Sequence, residues 1–180
     1  TLAGHGVETE FVRVSDVTSG HAIIQVDKAG GNNIILYGGA NRMISKEFVD
    51  EVLENFSKGD MVLLQNEINQ VAYVMEKAYE KGMKVVFNPS PIDAEITKMP
   101  LDKVSCFLLN EIEGMYLTGS KNKGDIVDKL LQKYPHAIII LTLGGDGVIY
   151  QDAANRYEQS IYSVETVDTT AAGDTFTGYY

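Results

Sequence analysis

Asp174 closes a run of small residues, Ala171-Ala172-Gly173, and is followed by Thr175-Phe176-Thr177-Gly178. Small side chains let the backbone approach a ligand closely. If a helix starts near Gly173, its first N–H groups have no partner inside the helix and its dipole favours negative charge. Asp174 would then sit beside an anion site. That pairing suits phosphoryl transfer: the carboxylate accepts the proton of an attacking hydroxyl, and the N–H groups stabilise charge on the phosphoryl oxygens. The alternative at this level is a plain helix cap with a glycine turn.

Three further groups of residues carry chemistry-bearing side chains. Thr142-Leu143-Gly144-Gly145-Asp146-Gly147 follows the apolar run from Ala137 to Leu141, and its glycines permit close backbone contact or a tight turn between strands. Asn110 follows Leu109 and stands three residues before Glu113, the spacing of a capping box and equally of a polar pair facing a ligand. Glu67 follows Leu63-Leu64-Gln65-Asn66 at the end of another apolar run, a place where most glutamates are solvated. His5, His21 and His136 have no ligand-like spacing, which argues against zinc. The chain lacks a Gly-x-x-x-x-Gly-Lys-Ser/Thr loop, a Gly-x-Gly-x-x-Gly turn and a Gly-x-Ser-x-Gly elbow.

Alternating helices and strands must position these residues. Ser45 can cap a helix whose Phe48, Val49, Val52, Leu53 and Phe56 recur at helical spacing, ended by Gly59-Asp60. Met61 to Leu64 reads as a strand buried on both faces. A helix carrying Val71, Val74, Met75 and Ala78 stops at Gly82, and Lys84 to Phe87 is the next strand. Asn88-Pro89-Ser90-Pro91 is a loop. Val104 to Leu109 is a strand leading into a short helix near Ile112 to Leu117. A longer helix uses Ile126, Val127, Leu130, Leu131 and Tyr134, followed by strands at Ala137 to Leu141 and Val148 to Tyr150. Near the start, His21 to Val26 and Asn33 to Tyr37 flank a turn-rich linker and read as a hairpin. The alternation predicts an α/β fold with a mostly parallel central sheet flanked by helices, and ligands in such sheets bind at the carboxyl ends of the strands. The motifs all follow strands.

The 180 residues suit one domain, and 44% hydrophobic with 22% charged is the balance of a folded protein. A formal net charge of −10 argues against nucleic acid or an anionic membrane as partner, while leaving room for a phosphate bound by backbone N–H groups. No apolar stretch approaches membrane-spanning length. Cys106 is the single cysteine, so no internal disulfide forms; it lies in an apolar run as a structural thiol, and a cytoplasmic location is expected.

The string Asp168-Thr169-Thr170-Ala171-Ala172-Gly173-Asp174 resembles the C-terminal signature of the ribokinase-like (PfkB) carbohydrate kinase family, Asp-Thr-x-Gly/Ala-Ala-Gly-Asp. The resemblance implies Asp174 as catalytic base, also touching substrate, with the amides of Ala172, Gly173 and Asp174 as an anion hole. It implies Asp168 and the Thr170 carbonyl as ligands of an activating monovalent cation, expected to be K⁺. Thr142, Gly144 and Gly147 match the nucleotide loop, with Gly173 also facing the nucleotide. Asn110 and Glu113 match an Asn-x-x-Glu motif that organises Mg²⁺, its waters and the phosphates of ATP. Glu67, within a Leu-x-Gln-x-Glu string, stands where a sugar contact is expected. Gly38-Gly39-Ala40-Asn41 is similar to the family as well.

The implied activity is ATP-dependent phosphorylation of a sugar primary hydroxyl, with ribose 5-phosphate as the expected product. A kinase for fructose, another sugar or a nucleoside, and a non-catalytic nucleotide- or sugar-binding module, are the alternatives. Residues 1–180 are expected to be one ribokinase-like domain incomplete at both ends, with a small β-rich element within 11–40 belonging to a lid or a sheet edge. The absent N-terminal part would carry strands, much of the lid and a Gly-Gly-Lys-Gly-Ala-Asn type segment. The absent C-terminal part would complete the nucleotide pocket. A homodimer stays open.

Overall fold

The computed structural model describes residues 2–26, 32–164 and 171–180. After a short 3₁₀ turn, Leu2–His5, the first regular elements are β1 (His21–Val26) and β2 (Asn32–Tyr37), paired antiparallel as a sheet of their own. Isoleucines face each other in register, Ile23 with Ile35 and Ile24 with Ile34, so both faces of this ribbon are apolar. The linker that joins the two strands, residues 27–31, lies outside the described residues.

The rest of the chain winds a six-stranded sheet. Its strands are β3 (Met61–Gln65), β4 (Lys84–Asn88), β5 (Cys106–Asn110), β6 (Ile138–Thr142), β7 (Val148–Gln151) and β8 (Arg156–Gln159), neighbours in that order. The first four run parallel; β7 and β8 return antiparallel. Parallel strands need crossovers: α2 (Val71–Glu80) lies between β3 and β4, two short 3₁₀ turns (Ile96–Lys98 and Leu101–Lys103) between β4 and β5, and α3 (Glu111–Thr118) with α4 (Lys123–Lys133) between β5 and β6. The helix α1 (Lys46–Leu53) precedes β3, and α5 (Ala172–Tyr179) ends the described chain.

Local chemistry sets the helix ends. Ser45 Oγ accepts from the Phe48 N–H at 3.1 Å and starts α1; Asn122 Oδ1 accepts from the Asp125 N–H at 3.2 Å and starts α4. α1 stops at Leu53, and Phe56, expected on the helix, packs on the core from the turn beyond it. Each helix turns an apolar stripe to one face of the sheet: Val71, Val74, Met75 and Ala78 from α2, and Ile126, Val127 and Leu130 from α4. These meet Val85, Phe87, Phe107, Leu109, Ile139 and Leu141 in the main core. Each such fully buried side chain contributes roughly 1.5–3 kcal/mol relative to exposure. The other sheet face carries a smaller cluster, Val86, Cys106, Leu108 and Ile140, on which Phe176 of α5 rests. Burial pushes the Cys106 thiol up to about 12, so this sulfur is a packing group and not a nucleophile.

The sequence pattern does not predict β8. Its Arg156, Tyr157, Glu158 and Gln159 are all exposed, so no apolar alternation marks the strand.

Candidate active site

Each of the four parallel strands is an apolar run closed by one neutral polar residue: Gln65, Asn88, Asn110 and Thr142. Pairing register brings Gln65 beside Asn88 and Asn110 beside Thr142 at the carboxyl edge of the sheet. All four line one cavity of about 230 Å³, and the start of α5 faces them across it. Such a crevice is where open α/β sheets hold ligands.

One wall is the start of α3. Asn110 Oδ1 accepts from the Glu113 N–H at 3.0 Å, and the Glu113 carboxylate accepts from the Asn110 N–H at 2.9 Å and from Asn110 Nδ2 at 3.0 Å. This is a complete capping box with a third bond between the side chains. Glu113 is only 5% exposed. Burial raises its pKa, and hydrogen bonding from Asn110 opposes that rise. Gly114 follows because a Cβ there would meet Ile126 Cγ2 at 2.6 Å. The helix lies that close to α4.

The opposite wall is the start of α5. Ala171 holds φ 58°, and it is the one non-glycine residue with positive φ among the described residues. That conformation costs an L-residue roughly 1–2 kcal/mol. Thr175 is the first residue to bond back into the helix, its N–H reaching the Ala171 carbonyl at 2.9 Å. Among the described residues nothing accepts from the N–H groups of Ala172, Gly173 and Asp174. Ala172, Gly173 and Asp174 all line the cavity, and a Cβ on Gly173 would meet no atom within 4 Å. Asp174 is exposed, and its Oδ1 accepts from Gln65 Nε2 at 3.1 Å.

The lining contains two ionisable groups, Glu113 and Asp174, and no Lys or Arg. Among the described residues, the groups in this cavity that can hold an anion are backbone N–H groups and the helix dipole. Amides with no acceptor among the described residues, beside an exposed carboxylate, suit phosphoryl transfer to a hydroxyl.

Residues 1–179 match the family described as pfkB family carbohydrate kinase. The chain belongs to this family. It is 32% identical over 197 residues to a ribokinase of Dictyostelium discoideum, covering 97% of this chain and 62% of that protein. It is 30% identical over 191 residues to a deoxyribokinase of Salmonella typhimurium, covering 99% of this chain and 61% of that protein. The solved Arabidopsis thaliana ribokinase, complexed with ribose and ATP, superposes with a TM-score of 0.73 at 28% identity, over 90% of this chain and 55% of that one. The chain thus spans about three fifths of the length of the curated relatives it matches.

The structure brings the predicted pfkB residues Asn110, Glu113, Thr142, Ala172, Gly173 and Asp174 to one cavity. Gly144 and Gly147 do not line it; they shape the loop that follows Thr142. There the Leu143 N–H donates to the Gly147 carbonyl at 2.8 Å, and the loop turns at Gly144 with φ 55°. Gly147 is required by packing: at φ 104°, a Cβ would fall 2.0 Å from the Gln159 carbonyl oxygen. Lys123 pairs with Asp146 in the same loop and with Glu111 Oε1 at 3.4 Å, tying the loop to the start of α3. Glu67 is exposed in the turn after β3 and does not line the cavity. Asp168 and Thr170 lie outside the described residues.

Gln65, Asn88 and Ser90 also line the cavity, although the motifs assign them no role. The available signal is the single polar residue that ends each apolar strand. Asn66, 2% exposed, fixes this corner: its N–H reaches the Ser90 carbonyl at 2.9 Å and its Nδ2 reaches the Pro91 carbonyl at 2.8 Å and Asp93 Oδ2 at 3.0 Å.

The donor set bears on Mg²⁺. Among the described residues no three His, Cys, Asp or Glu side chains cluster as a cage. Of the two cavity carboxylates, Glu113, already anchored by Asn110, fits an ion held largely by water and phosphate oxygens, the usual mode for Mg²⁺.

Proposed function

We propose that the protein containing this chain transfers the γ-phosphoryl group of ATP to a primary hydroxyl of a small sugar, with ribose, at its 5-hydroxyl, as the substrate. The observation that carries this reading is the exposed Asp174 carboxylate next to the amides of Ala172, Gly173 and Asp174, which have no acceptor among the described residues, facing the strand-end residues across one cavity. Asp174 accepts the proton of the attacking hydroxyl, and the three amides stabilise the phosphoryl oxygens. Neither group has to reorganise greatly, because the amides are fixed by α5 and the carboxylate is tied to β3 through Gln65.

Asn110 and Glu113 would hold Mg²⁺ through water, and the ion would supply positive charge against the triphosphate in a cavity where the described residues include no basic side chain. Thr142 and the Gly144–Gly147 loop are assigned to the nucleotide, and Glu67 to the sugar. Asp168 and the Thr170 carbonyl are assigned to a monovalent cation, K⁺, on the strength of the motif alone. The ribbon of β1 and β2, a sheet separate from the main one, is assigned as a lid, because both of its faces carry isoleucines that need covering. The single buried thiol suits a reducing cytoplasm.

The likeness to a deoxyribokinase makes 2-deoxyribose the second candidate substrate. Incubating the complete protein with ATP, Mg²⁺ and, in turn, ribose, 2-deoxyribose, fructose and a nucleoside, with mass detection of the product, tests the assignment. Ribose 5-phosphate should form fastest. Nucleotide binding without any phosphorylated product would overturn it in favour of a binding module.

A further inference from the structure

Of the four strand-end residues, Gln65 is the one that touches Asp174. An ionised carboxylate only accepts hydrogen bonds, so the amide must present its NH₂ side, and the contact is Nε2 to Oδ1 at 3.1 Å. The two ends of this bond are held very differently. Gln65 lies at the end of β3, in register with Asn88, and the next residue, Asn66, is buried and bonded to Ser90, Pro91 and Asp93. Asp174 lies on the exposed first turn of a helix that starts at a left-handed alanine and rests on the sheet through Phe176. A carboxylate in that position has free rotation unless something stops it.

We propose that Gln65 is the positioning residue for Asp174. Resting on the reading of Asp174 as the base, the inference is that the Gln65 amide occupies Oδ1 and leaves Oδ2 turned to the substrate hydroxyl. Gln65 acts through Asp174 and takes no proton itself. Loss of this restraint leaves the base free to sample unproductive rotamers, and misplacement on the order of 1 Å costs about 100-fold in rate.

The test uses the complete protein with three substitutions: Gln65→Met, Gln65→Glu and, as control, Asp174→Asn. Rates are measured against ribose, ATP and pH, with unfolding temperature recorded for each variant. Gln65→Met should lower kcat by about 10- to 100-fold while KM for both substrates stays within a few-fold. Gln65→Glu, of the same shape, sets two carboxyls against each other, so the acid limb of its kcat profile should move to higher pH. If Gln65→Met unfolds, the isosteric Gln65→Glu variant carries the test. Normal turnover in Asp174→Asn removes the base and the inference together. An inactive Asp174→Asn beside Gln65 variants of normal kcat and pH profile removes the inference alone. A raised sugar KM at unchanged kcat also overturns it, since Gln65 would then be a substrate contact.

Discussion

Two helices begin at the same cavity, and they begin in opposite ways. At α3 a capping box closes the helix start: Asn110 and Glu113 exchange three hydrogen bonds, and the glutamate is buried. At α5 the cap residue is an alanine in the left-handed region, and among the described residues the next three amides have no acceptor. A helix start closed by a capping box is already stable without a ligand. A start that leaves its donors free, and is strained as well, is less stable alone and gains most when an anion arrives. The contrast assigns α3 as the rigid wall and α5 as the reactive one.

The largest expected effect falls on the reactive wall. Asp174→Asn removes the proton acceptor while keeping the shape, and turnover of the complete protein should fall by about 10²- to 10⁴-fold. Nucleotide affinity, read by calorimetry, should change little, because the amides remain.

Substitution on the rigid wall should act on stability as well. Asn110→Ala opens the capping box and strips partners from a buried carboxylate. Denaturant titration should show a loss of about 1–2 kcal/mol. A loss no greater than that of a neutral surface substitution would erase the distinction between the walls.

A smaller effect should appear in the pH dependence of stability. Burial raises the Glu113 pKa above its ordinary value of 4.5, so the folded state holds this proton more tightly than the unfolded chain. Between 4.5 and the raised value the native state binds more protons, and this group's contribution makes stability fall as pH rises through that window. Glu113→Gln cannot titrate, and unfolding curves across the window should flatten. The smallest effect belongs to Ala171→Gly, which relieves the φ 58° strain and should stabilise the fold by about 0.5–1 kcal/mol.

The sequence reveals the two walls unequally. β4 to β6 are visible because their apolar runs are buried on both faces of the sheet, and the capping box is visible because Asn110 and Glu113 are three residues apart. β3, expected to be buried on both faces, is instead the edge strand among the described residues, with Met61 and Leu63 exposed. The free amides follow from small residues before Asp174. Contacts made by distant segments leave no local mark. Gln65 and Asp174 are 109 residues apart, and only the folded sheet edge brings them together. Gly147 reads as a loop glycine suited to a ligand, yet the close neighbour that forbids a side chain there is the backbone of Gln159, at the end of a strand too polar and exposed to be seen beforehand. Glu67 likewise faces solvent although its motif points to the sugar, because register brings Gln65, not its second neighbour, to the cavity.

The most direct measurement is a structure of the complete protein with ADP, Mg²⁺, ribose and an aluminium fluoride mimic of the phosphoryl group in flight. The account predicts the mimic's fluorides at about 2.7–3.1 Å from the amide nitrogens of Ala172, Gly173 and Asp174. It also predicts the Asp174 carboxylate on the sugar hydroxyl, with Gln65 still on its other oxygen. A mimic bound away from these amides, or an Asp174 turned away from the sugar, would contradict it.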